Sequence, residues 1–178
     1  MGLIDSYPDT YLPRDGELGY LETIAAVHAS IHAGRHFTAV GYQTGASAVN
    51  VILTTPATNE YHIVAHINTT GTGSLSWSES PNYDATGETA ITAYNNKRDS
   101  TQTSSMTHAI GGAYTSSGTI LDRGLIGAVG LGQTVVGGAD SHVNEWIGNA
   151  STSYLVRFVP AASCESVVRL TYYKKDLD

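Results

Sequence analysis

The sequence predicts an all-β domain, an antiparallel β-sandwich of jelly-roll-like character, preceded by an extended N-terminal arm. Three observations carry the prediction. Short segments rich in β-branched and aromatic residues recur along the chain, and clusters of Gly, Pro, Asn and Ser separate them. There are about nine or ten such segments at regular spacing, the pattern of a sandwich or barrel. The chain has 178 residues, which fits a single domain over 21–178 with an arm over 1–20.

The arm, "MGLIDSYPDTYLPRDGELGY", lacks periodicity, is acidic and holds two prolines, so it does not read as a secretory signal. It reads as a segment that packs on its own domain or grips a partner, with Tyr7, Tyr11, Leu12 and Tyr20 as apolar anchors.

The next stretch, "LETIAAVHASIHAGRHF", spaces His28, His32 and His36 four residues apart. As a helix it makes His28 and His32 neighbours at i, i+4, a spacing able to hold a metal, and ends at Gly34. As a strand it puts Ala25, Val27, Ala29, Ile31 and Ala33 on one face and His28, Ser30 and His32 on the other. The strand alternation is the cleaner pattern and is preferred, with "AGR" as the hairpin turn. A two-residue loop then sends His36 to the apolar face, whereas a three-residue loop aligns all three rings. On a strand His28 and His32 stand ~13 Å apart, which rules out a shared ion.

Strands follow at "HFTAVGYQ" (His36–Gln43), "AVNVILTTP" (Ala48–Pro56) and "EYHIVAHIN" (Glu60–Asn68). "TGSLSWSES" alternates Leu75 and Trp77 against serines, as a half-buried strand does. "TQTSSMTHAI" and "DSHVNEWIGN" read as strands with polar outer faces. The glycine-rich middle, from Gly111 to Ser141, reads as a long loop or a loosely paired edge. Its "GAVGLG" is not a nucleotide loop, because no Gly-Lys-Ser/Thr follows and no βαβ unit surrounds it. "TSYLVRFVP" and "ESVVRLTYY" form a closing pair joined through "AASC".

Composition narrows the function classes. A net charge of −7 and a pI near 5.3 argue against nucleic acid as partner, since phosphate binding needs a concentrated basic face. The short basic clusters "NNKRD" and "YYKK" read as solvated loops or ends. No apolar run reaches the ~20 residues of a membrane-spanning helix. The single cysteine, Cys164, makes no internal disulfide and has no base nearby in sequence. The Thr, Ser, Gly and Ala bias, with 14% charged residues, is common in β-rich extracellular and virion surface proteins.

No catalytic constellation is legible, and the chain is expected to be non-enzymatic, with no cofactor. His62 and His66 repeat the four-residue spacing on a strand, where they too are too far apart to share an ion. His-x-His, His-Glu-x-x-His and Gly-x-Ser-x-Gly do not occur. Asp140, Ser141 and His142 are adjacent in sequence only, and triads are built in space. The acids Glu79, Asp84, Glu88, Asp122 and Glu145 suit loops. Trp77, Trp146 and the eleven tyrosines fit core anchors and interface contacts better than a sugar platform.

The order of motifs resembles a family of small β-rich head proteins of tailed bacteriophages, of the capsid decoration or cement kind. The matching residues are His28, His32, Gly34 and Phe37, then Thr55, Pro56 and Thr58. They continue through Tyr94, Asn95, Asn96 and Arg98 to Asn144, Glu145, Trp146, Tyr154 and Arg157, and the likeness runs from about residue 24 onward. Members of that family often carry acids beside the first histidines, where this chain has Ala29 and Ser30.

The resemblance implies a structural virion protein on the capsid surface, with the major capsid protein as partner. It also implies self-association, with a homotrimer as the arrangement suited to lattice three-fold positions. Multivalent lattice contacts make modest single interfaces add up. The rival readings are a receptor- or glycan-binding tail or fibre module, and a metal-dependent β-barrel enzyme suggested by the seven histidines.

Overall fold

The computed structural model describes residues 28–58, 60–126 and 145–174. The chain enters through one helical turn, α1 (residues 28–32). Thirteen strands follow among the described residues. They are β1 (His36–Gly45), β2 (Val49–Thr54), β3 (Tyr61–Thr69), β4 (Gly73–Glu79), β5 (Asn82–Asp84), β6 (Thr89–Ala90) and β7 (Ala93–Asn95). The second half supplies β8 (Thr107–Ile110), β9 (Ala113–Ser116), β10 (Thr119–Ile126), β11 (Trp146–Gly148), β12 (Ser153–Pro160) and β13 (Cys164–Lys174).

The strands build two principal antiparallel sheets. One has five strands in the order β11–β3–β13–β1–β7, the other six in the order β10–β4–β12–β2–β8–β6, and β5 pairs with β9 as a separate ribbon. The steps β1 to β2, β2 to β3, β3 to β4 and β12 to β13 each cross from one sheet to the other. The core lies between the sheets. Phe37, Ala39, Tyr61, Ile63, Val168, Leu170 and Tyr172 come from the five-stranded sheet and meet Val49, Val51, Leu53, Trp77, Tyr154, Val156 and Phe158 from the other. Each set occupies every second position of its strand, as a pleated sheet with one inner face demands. The fold is therefore the antiparallel β-sandwich that the sequence predicts.

Tyr172 anchors the middle of that core. Its ring stacks on Phe37 and on His108, with centroids 5.7 Å and 5.1 Å away, and Tyr61 meets it edge-on. Its hydroxyl pairs with Ser104 Oγ at 2.6 Å, so the polar end of a fully buried tyrosine keeps a partner. Trp77 and Trp146 are indeed core residues, the first buried and the second packed against the cluster.

The preferred strand over Ala25–Ala33 is corrected where it can be seen: residues 28–32 form a helical turn. Gly34, with φ +71°, terminates it. Its N–H reaches the Ile31 carbonyl and the Arg35 N–H reaches the Ser30 carbonyl, the two bonds of a Schellman cap. The alanines that supplied the strand's apparent apolar face are equally the best helix formers, and the cap decides the matter. "TQTSSMTHAI" is a strand only at its end, Thr107–Ile110. The glycine-rich stretch contributes β9 and the edge strand β10, while residues 127–144, including the "GAVGLG" piece and Asp140–His142, lie outside the described residues.

Candidate docking face

The two sheets differ in what covers their outer faces. On the six-stranded sheet, the outward positions of β2, β4, β8 and β12 hold Asn50, Ser78, Ala109 and Leu155, and all four are buried. The β5–β9 ribbon and its flanks contact this sheet at Asn50 and Arg157. Arg157 of β12 lays its guanidinium over the Tyr114 ring, 4.4 Å from the centroid. Asn50 Nδ2 donates to the Gly112 carbonyl at 3.2 Å, and the Tyr83 hydroxyl donates to the Gly111 carbonyl at 2.7 Å.

The outer face of the five-stranded sheet has no such cover among the described residues. Register fixes what it presents. The first row runs Ile147, His62, Tyr173, His36 across β11, β3, β13 and β1. The second holds Val64, Thr171, Thr38 and Tyr94, the third His66, Arg169 and Val40, the fourth Asn68, Val167 and Tyr42. Val40, Tyr42, Tyr94 and Ile147 are 44–58% exposed, and together with Leu125 on β10 they are the exposed large apolar residues among the described residues. Four of those five share this one face. Val40, Tyr42 and Tyr94 lie near one another on β1 and β7, while Ile147 sits at the opposite edge of the sheet, and apolar residues gathered on one side of a sheet make it a candidate contact surface.

One end of the face is rigid. Tyr173 is sandwiched between two imidazoles, His62 at 4.7 Å and His36 at 6.0 Å between centroids, both nearly parallel to it. Glu145 Oε1 accepts from the Tyr173 hydroxyl at 2.7 Å and lies 2.9 Å from His62 Nδ1. His36 Nδ1 meets Asn96 Nδ2 at 2.7 Å, and Asn96 Oδ1 accepts from the Thr38 hydroxyl. Burial, and after it the Glu145 carboxylate, pushes the Tyr173 phenol well above its ordinary range. Burial also pulls the His36 imidazole below the usual histidine value, against the bond to Asn96. Tyr173 is thus held as a neutral donor.

The motif residues gather into two hydrogen-bonded corners. In one, Asn95 Nδ2 donates to the Gly34 carbonyl at 2.6 Å and Asn96 holds His36, so the "Tyr-Asn-Asn" segment braces the histidine turn. In the other, Thr55 Oγ1 donates to the Asn149 carbonyl and receives the Thr152 N–H, while Tyr154 takes the Asn149 N–H and donates to Glu79. These residues fix loops, which is a structural duty.

Compared with protein-family models, curated proteins and solved structures, the chain has no significant match in any of the three.

Of the candidate shell-contact residues, Tyr7, Tyr11, Leu12 and Tyr20 all lie outside the described residues. Glu79 is taken up by Tyr154 and Asn149, and Asp84 accepts from the Thr86 N–H, so both serve local structure. Cys164 begins β13, where its sulfur receives the Thr69 hydroxyl at 3.3 Å. The exposed apolar residues of this face were missed at the level of motifs. Their signal is parity: "HFTAVGYQ" carries apolar residues at both odd and even positions, although one sheet face needs only half of them.

Proposed function

We propose that this chain is a structural virion protein that decorates and stabilises the outside of a bacteriophage capsid by binding the major capsid protein. The observation that carries the reading is the open face of the five-stranded sheet, where Val40, Tyr42, Tyr94 and Ile147 project from a stiff β scaffold. The motif order along the chain supports it independently, and so does an acidic chain suited to a place away from packaged DNA. A decoration protein needs a rigid body with one contact face, and aromatic residues with few rotatable bonds suit that contact. Repetition over a lattice then turns one modest interface into firm attachment.

The test is capture of the purified full chain by mature heads that lack it, read by co-sedimentation. Capture of the native chain, lost when Val40→Glu and Tyr42→Ser are combined, is the expected result. A truncation removing residues 1–20 measures what Tyr7, Tyr11, Leu12 and Tyr20 add. Failure of the native chain to bind heads, with binding on a glycan array or labelling of tail tips, would replace this reading by the receptor- or glycan-binding one. A virion proteome without the chain would end both.

A further inference from the structure

We propose that His28 and His32 form a two-imidazole site for a borderline divalent metal ion, Cu2+ foremost and Ni2+ next. Helical winding of α1 sets the two rings one turn apart on one side, edge to face, with centroids 4.4 Å apart. Their Nε2 atoms approach to 2.9 Å. Two nitrogens each about 2.0–2.1 Å from a common ion stand about 2.9 Å apart at a right angle and about 3.3 Å apart at the tetrahedral angle. The observed separation is a hydrogen-bond length, close enough for both nitrogens to reach one ion as cis ligands, and among divalent first-row ions Cu2+ and then Ni2+ bind such nitrogens strongly.

The site is held ready. The Schellman cap at Gly34 closes the turn, and Asn95 clamps the Gly34 carbonyl from the neighbouring loop. Both rings are exposed, so an ion reaches them without opening the fold. In the free protein one Nε2–H donates to the other Nε2. On binding, that proton leaves Nε2 as the same ring takes the Nδ1–H form, and both Nε2 lone pairs pass to the ion. His62 and His66 show the contrast: the same spacing on β3 separates the rings along the strand, and His62 Nδ1 already faces Glu145.

The experiment is titration of the full chain with Cu2+ alone at neutral pH, followed by calorimetry and electron paramagnetic resonance. One ion per chain is expected, with hyperfine structure from two imidazole nitrogens. His28→Gln and His32→Gln should each weaken binding by about tenfold or more, since each breaks the chelate, while His66→Gln leaves it unchanged. Circular dichroism should be unaltered in all three, because the rings lie on the surface. Binding that survives His28→Gln and His32→Gln, or a native chain that binds no better than the double variant, would overturn the proposal.

Discussion

His108 is a histidine held where an imidazolium is costly. It is 5% exposed, stacks on Tyr172, and its Nε2 has no partner among the described residues. Burial pulls its pKa from 6.5 down to about 4. The unfolded chain therefore takes up a proton between pH 6.5 and 4 that the folded chain refuses. His108 contributes stability that is complete above pH 6.5 and is lost as pH falls towards 4, on the order of 3 kcal/mol over that window. His36, shifted the same way by burial, adds in the same direction. His108→Phe keeps the stack on Tyr172 and removes both the titration and the unpaired nitrogen. Urea unfolding between pH 4 and 7 should show a flatter acid limb for the variant, with little cost at pH 7. An unchanged acid limb would mean that the loss of stability arises elsewhere.

At the scale of elements, the turn that carries the first histidines depends on one glycine. Gly34 adopts a left-handed φ of +71°, and a Cβ there would collide with the Ser100 hydroxyl. Gly34→Ala should cost about 1–2 kcal/mol, from backbone strain and loss of the cap. A fall in thermal midpoint with an otherwise native spectrum is the readout, and an unchanged midpoint would show that the cap is dispensable. Sequence reasoning singled out this glycine, as the end of a helix or within a hairpin turn, and preferred the hairpin. Ala29, Ile31 and Ala33 alternate as a strand would, and a short apolar run does not separate the two periods. What decides is a pair of carbonyl bonds and the brace from Asn95, sixty-one residues away in sequence, which no local pattern contains. The very short strands β5, β6 and β7 escaped for a related reason. Two or three residues carry no alternation, and they are strands only because a partner lies alongside.

At the scale of the molecule, the long strands β1, β3, β12 and β13 were legible because each buries one full face, and burial writes period two into the sequence. The asymmetry of the two outer faces was not legible, since the contacts of the β5–β9 ribbon and its flanks to Arg157 and Asn50 join residues far apart in sequence. That asymmetry makes a contrast in energies. Tyr114→Ala removes the ring beneath Arg157 and loosens the ribbon's hold on the sheet. It should destabilise the fold by about 1–3 kcal/mol, through the lost cation–π contact and newly exposed apolar area. Tyr42→Ser should change stability by no more than about 0.5 kcal/mol, because the residue is 57% exposed, and Tyr94→Ser by no more than about 1 kcal/mol, because it also loses the exposed Arg98 contact to its ring. Denaturant unfolding of the three variants measures the difference directly. A large cost for Tyr42→Ser would mean that a further part of the chain already packs on that face, and a face so occupied is closed to the capsid. The same measurement therefore tests the fold's asymmetry and the premise on which the docking proposal rests.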